Sequence, residues 1–498
     1  MRVQLKAAGV AAAVALSATG IAGCQSTDEG ASAEEKVITI GATAAPSTLD
    51  LMTNNAAAIP QVLLYNVYET LVRVDDSGKL VSLLAKSWQL SGNGLQLTFH
   101  LDPAAHFASG SPVTSAAVKS SLERMAKSTA NQDSLKAIKA IRTPDDNTVI
   151  LDLAHRDNFL LFNLASTAGV IIDPEVKDLA TQAQGSGPYV VSEFTPGHSV
   201  TLSPSPKPWH EGGRPTIKFS YYSDATAQTA ALMSGDLDVI SDLTTPEALS
   251  RFTGNSDYRV LRGTTNGEVV LGMNNDVKAL SDKRVRQAIL MAIDRKGLLD
   301  SVWDGQGTLI GSMVPPTDPW YKDLSKTWPY DPARARKLLA EAGYANGLKL
   351  RLRTAALPYA TSASRVVTSD LAKIGITVET EELEFPARWL DVVYNHADYD
   401  LTIVAHVEAR DIVNWANPDY YWRYHNKEFN RLIQSAQTGP AERTNENLMK
   451  ASQILATDAA GGFLYLMPKI TVSKSDITGL QHNAASLSFD LTKVRKSK

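Results

Sequence analysis

The chain carries one cysteine, Cys24, in 498 residues. No internal disulfide can therefore form, and any fold must rest on buried apolar surface. The position of that cysteine constrains the chain further. Arg2 and Lys6 make a cationic start, and an uncharged apolar stretch rich in small residues runs from Ala7 to Gly23. The stretch ends in Ile21-Ala22-Gly23-Cys24, and the chain then turns polar at Gln25-Ser26-Thr27-Asp28-Glu29. This order of cationic, apolar and small-residue segments is that of a secretory signal. The apolar part is short and Ala/Gly-rich for a stable membrane span.

The Ile-Ala-Gly-Cys end resembles a bacterial lipobox, which implies that Cys24 is lipidated and becomes the first mature residue. An incidental cysteine in an ordinary signal is the alternative. The expectation is a signal peptide over 1–23, a small, polar and acidic tether over 24–36, and an exported body anchored by lipid on the extracytoplasmic side. That body is too long for one ordinary core and suits two or three lobes. A hydrophobic fraction of 44% and a charged fraction of 20% are those of a soluble globular chain. The net charge of −4 lacks the basic stripe that nucleic acid requires, so nucleic acid is not expected as a partner.

Local patterns predict alternating strands and helices. Strands are expected at 37–41, 95–101, 148–153, 216–222, 237–240, 348–352 and 376–381. Helices are expected at 62–71, 115–125, 225–234, 246–252, 282–293 and 361–374. A further helix is expected to be capped by Asp331, with Pro332 in its first turn and Gly343 as its stop. The alternation predicts α/β lobes with largely parallel sheets.

An ordered series of short segments carries a family resemblance. Asn66-Val67-Tyr68-Glu69-Thr70-Leu71-Val72, Leu84-Ala85-Lys86-Ser87-Trp88 and Leu97-Thr98-Phe99-His100-Leu101 come first. Ser121-Leu122-Glu123-Arg124, Gly187-Pro188-Tyr189, Gly235-Asp236-Leu237-Asp238 and Met273-Asn274-Asn275 follow. Val285-Arg286-Gln287-Ala288-Ile289 and Asp331-Pro332-Ala333-Arg334-Ala335 complete the series. In order and spacing it resembles the family 5 extracellular solute-binding proteins of peptide and nickel ABC importers. The resemblance implies a bilobed α/β clamp of the large peptide-binding type. Lobe I would comprise 37–55, 185–268 and 470–498, an inserted subdomain 56–184, and lobe II 269–469. The crossings would lie at Val269–Met273 and Phe463–Met467. Partners would be a small-molecule or peptide solute, an ABC permease and its ATPase; a monomer is expected and no cofactor is implied.

The segment 405–422 holds the densest set of polar and aromatic residues and follows the apolar run Leu401-Thr402-Ile403-Val404. Its polar groups would emerge at a strand end, where α/β folds collect ligand contacts. His406, Glu408, Arg410, Asp411, Asn414 and Trp415 are the binding candidates. In peptide-binding relatives the matching segment offers backbone groups to the peptide and a carboxylate to its ammonium. Here the position of that carboxylate holds Asn414, so Asp411 would have to replace it, or else pair locally with Arg410 or another base. Trp415 would stack on a solute or pack internally. Arg353, Arg365 and Arg388 are candidates for an anionic group or surface charges. Tyr65 and the 46–50 loop border the cleft in relatives. His396, His406 and His425 are ten or more residues apart and make no close His/Cys cluster of the kind a dedicated metal site often shows, although imidazoles from separate loops could still contribute.

A peptide solute is the leading expectation, with a metal chelate, sugar or other small solute, or a sensor role, as alternatives. No Gly-x-Ser-x-Gly elbow, Walker-type phosphate loop or His-Glu-x-x-His motif occurs, so a surface hydrolase has no support.

Overall fold

The computed structural model describes residues 37–54, 56–212, 215–222 and 224–497; the signal, the tether and Cys24 lie outside the described residues. Ten strands form one sheet. From one edge they run Ile376–Leu383, Leu348–Ala355, Leu401–His406, Tyr258–Met273, Gly462–Lys474, Val239–Ile240, Val37–Ala42, Thr216–Tyr221, Ser199–Pro204 and Tyr189–Thr195. Parallel pairing is confined to two flanks. Val37–Ala42 runs parallel to Thr216–Tyr221 and Val239–Ile240, and Leu348–Ala355 runs parallel to Ile376–Leu383 and Leu401–His406. The centre is antiparallel, which corrects the expectation of largely parallel sheets. The cause is topological: two long strands pass through the middle of the sheet in opposite directions. A separate four-stranded antiparallel sheet is built from Ala85–Leu90, Gln96–Leu101, Thr148–Leu153 and Ile138–Asp145.

The register of the central pair, Tyr258–Met273 and Gly462–Lys474, shifts twice in mid-course. Thr264 pairs with Pro468 and Glu268 with Leu466, so the register breaks between them. The break is tied by Thr265, whose hydroxyl donates to the Met467 carbonyl at 2.8 Å and accepts from the Gly267 amide at 2.9 Å. This break sits just outside the 269–273 run, opposite Met467 and Pro468, and the second shift, between Val269 and Val270, lies within it.

Four apolar cores follow from this layout. The largest gathers residues between 38 and 239 together with 477–494. Two others draw on residues between 269 and 466, and one of them also takes in Phe159. A small fourth core joins 231–252 to Ile470 and Val472. Among the described residues, no helix is long and apolar enough to cross a membrane.

The expected helix over 62–71 is shorter and earlier, at Ala58–Leu63. Tyr65 takes a left-handed φ of 64°, which a continuing helix cannot contain. The buried Asn66 also binds elsewhere: its amide donates to the carbonyls of Val62 and Phe489, and its oxygen accepts from the Leu491 amide. The C-terminal segment thus claims these residues. Ser115–Met125 matches its sequence pattern, with Thr114 accepting from the Ala117 amide as N-cap. Asp331 caps Pro332–Leu339 as expected, and Gly343 stops that turn at a φ of 97°.

Candidate functional site

The Leu401–His406 strand pairs with the long Tyr258–Met273 strand, placing His406 opposite Glu268. Residues 401–404 are buried, and the chain surfaces at Val407, which is 44% exposed. Beyond it the backbone turns through Arg410, at a left-handed φ of 66°, into the short helix Asp411–Ala416. That turn folds Asp411 back onto His406. The ring Nδ1 lies 3.1 Å from an Asp411 carboxylate oxygen, and Nε2 lies 2.7 Å from the Tyr421 hydroxyl. Asn414 donates its amide to the second Asp411 oxygen at 3.4 Å. Asp411 is 7% exposed and its local partner is His406, not Arg410.

Arg410 instead lies 3.9 Å over the ring of Phe162, with Trp320 and Phe159 at 5.1 and 5.7 Å. Burial holds its guanidinium down to about 10, with the Asp318 charge opposing that drop. Burial likewise lifts the Asp318 carboxyl to about 7, although Arg410 favours its charged form.

The carboxylate that sequence reasoning missed is Glu268. It is 3% exposed, and its Oε2 has no partner within the protein. Burial drives its carboxyl far above the usual range, and the nearby Asp411 charge adds to the shift. A signal existed: a single glutamate adjoins the apolar run Val269–Met273, where a charge is costly unless it has a use.

Trp415 is 1% exposed and stacks on Trp422, with centroids 3.8 Å apart and planes 9° from parallel. Its indole nitrogen meets the Met313 sulfur at 3.2 Å. The stack needs glycine on both sides. A Cβ on Gly461 would approach the Trp415 ring to 2.7 Å, and one on Gly272 would approach Trp422 to 3.1 Å. Trp415 is therefore core packing, and its stacking partner is the protein's own indole.

A cavity of about 190 Å³ opens where three distant parts of the chain meet. Val407, Glu408 and Ala409 form one wall. Asn131, Ser134, Phe162, Asn163 and Ser166–Thr167 form another, and Asn266 with residues 485–487 closes the third. Among the described residues, Glu408 is the one ionisable side chain in its lining. Neighbouring protein partly desolvates the Glu408 carboxyl and raises it although the residue stays exposed, and the Asp411 charge raises it further, with His406 opposing. None of the walls at 131–167 or 485–487 was visible as a site in the sequence, because their Asn, Ser and Thr residues also mark ordinary loops.

The remaining candidates lie elsewhere. Arg353 is held by Glu381 and Asp398 at 3.1 and 2.6 Å, and Arg388 by Asp391 at 3.0 Å. Arg365 is exposed on the helix Pro358–Ala372. Tyr65 is buried, donating its hydroxyl to the Ala165 carbonyl at 2.5 Å and accepting from the Val74 amide. Asp50 caps its own loop through the Met52 amide. His396 pairs with Asp391 and His425 with Asp276. Among the described residues, no three His, Cys, Asp or Glu side chains are placed to hold a metal ion.

Known proteins share this architecture. The chain is 25% identical over 469 residues to heme-binding protein A of Haemophilus influenzae, covering 81% of this chain and 83% of that one. It is 26% identical over 494 residues to the probable D,D-dipeptide-binding periplasmic protein of Escherichia coli K12, covering 88% and 90%. In three dimensions it resembles NikA from Brucella suis in complex with Fe(III)-EDTA. The TM-score is 0.82 at 19% identity, covering 93% of this chain and all of that one. AgaA from A. tumefaciens R10, in complex with agropinic acid, gives a TM-score of 0.77 at 24% identity, covering 93% and 99%. The model of the bacterial extracellular solute-binding proteins, family 5, matches residues 79–431, and the chain belongs to that family of ABC-importer binding proteins.

Proposed function

We propose that this protein captures one small solute, of dipeptide size or less, in the cavity between the 407–409 segment and the 131–167 segment, and hands it to a membrane permease. The observation that carries this reading is the convergence of three distant chain segments on one cavity. The exposed 407–409 backbone leaves a strand end, the place from which main-chain groups can meet an extended solute without reading its side chains. Heme, a D,D-dipeptide, Fe(III)-EDTA and agropinic acid are the ligands named for the proteins above, and a cavity of about 190 Å³ favours the smaller of them.

The lobes anticipated at 37–55 with 185–268 and 470–498, and at 269–469, would move about the ladder break at 264–268 and 466–468. The insert at 56–184 would travel with the first. Binding and closure, rather than catalysis, is the role assigned here. The Ile21-Ala22-Gly23-Cys24 sequence supports export and a lipid anchor at Cys24.

The test is mass spectrometry of small molecules released when the purified protein is unfolded in urea. One dominant solute of dipeptide size or less is expected. A released solute of heme size or a long peptide would refute the assignment of this cavity.

A further inference from the structure

The charges around the cavity are unbalanced. Glu408 lines it, and Asp411 stands close enough behind to raise the Glu408 carboxyl. Glu268, buried on the adjoining strand two residues beyond the cavity-lining Asn266, also lies within the field of Asp411 and of Asp318. Burial shifts Glu268 and Asp318 toward their neutral forms, so Glu408 is the acidic side chain that faces the cavity, and the two neighbouring bases are already engaged. His406 is fixed between Asp411 and Tyr421, and Arg410 is spread over Phe162. Among the described residues no Lys or Arg lines the cavity; its other polar walls are the neutral Asn131, Asn163, Asn266 and neighbouring hydroxyls.

We infer that the cavity selects solutes that bring an ammonium or guanidinium group and no carboxylate into it, with Glu408 pairing directly with the cation. The inference rests on the reading of this cavity as the solute site. A carboxylate inside would be desolvated without a counter-charge and would face Glu408. A cation would complete a pair in a partly dry site, where such pairs are strongest. The Asn, Ser and Thr walls suit the amide or hydroxyl groups of the remainder. A peptide would fit this site only with its carboxyl end blocked or outside.

The test uses three matched probes on full-length protein stripped of solute in urea and refolded: glycyl-leucinamide, glycyl-leucine and N-acetylglycyl-leucinamide. Calorimetric titration should show the amide binding on the order of tenfold or more tighter than the free acid, and the acetylated probe losing at least as much. Glu408→Gln, at a position exposed to the cavity, should remove the preference. Equal or tighter binding of the free acid, or of the acetylated probe, would overturn the inference and leave the solute site intact. If no probe binds, the solute released from unstripped protein decides: a cation without a carboxylate supports the inference, and a carboxylate-bearing or uncharged solute overturns it. Release of nothing, with no probe bound, would sink the solute-site reading itself.

Discussion

The guanidinium of Arg410 lies 3.9 Å above the ring of Phe162, joining the loop after the Leu401–His406 strand to the segment that forms the opposite cavity wall. Asn158 adds to this junction, donating its side-chain amide to the carbonyls of Ala436 and Gly439 and its backbone amide to that of Gln437. Desolvated cation–π contacts of this kind contribute about 1–2 kcal/mol. A double-mutant cycle of Arg410→Met and Phe162→Leu, read by denaturant unfolding, should give a coupling energy in that range. Additive effects would show that the two side chains do not work together.

Trp415→Ala should destabilise the protein by about 3–5 kcal/mol, because it empties a packed site between Gly461 and Trp422. Solute affinity of the folded fraction should change little, since Trp415 does not line the cavity. Thermal unfolding and calorimetric titration separate the two effects. A large loss of affinity at unchanged stability would return Trp415 to the solute.

Asp318 sets a pH dependence. Its carboxyl titrates near 7 in the folded state and at 3.8 when unperturbed, because burial disfavours its charge. Between these values the folded state holds a proton that the unfolded chain has released. The contribution of Asp318 is thus complete below about pH 4 and is lost as pH rises through about 7, at no more than about 1.4 kcal/mol per pH unit. Asp318→Asn should flatten that part of the stability profile, measured by urea unfolding from pH 4 to 8. An unchanged slope would remove Asp318 as its source.

Cys24→Ala should leave a folded protein that no longer sediments with membranes. Acyl chains on Cys24 would contribute about 0.8 kcal/mol per buried methylene. Retention in the membrane pellet at wild-type levels would contradict the lipid anchor.

Local elements were readable wherever one local interaction decides them. Asp331 caps the helix that Pro332 opens because both effects act within four residues, and Ser115–Met125 follows from its own apolar spacing and the Thr114 cap. The helix expected at 62–71 was misjudged for the opposite reason. Asn66 is satisfied by Phe489 and Leu491, more than 400 residues away, and no local pattern records such partners.

The same division holds for the site. Family resemblance and α/β class were legible in the chain alone, since each depends on residue order, and an apolar run followed by polar groups marked 405–422 as the candidate segment. Only the tertiary structure decided that Asp411 serves His406, that Trp415 belongs to the core, and that Arg353 is committed to Asp398 and Glu381. It alone brought Glu408 into a cavity with Asn131, Asn163 and Asn266, and set Glu268 behind it. A carboxylate's role depends on its distance from other charges and on the water removed around it, and both are set by which remote segments fold against it.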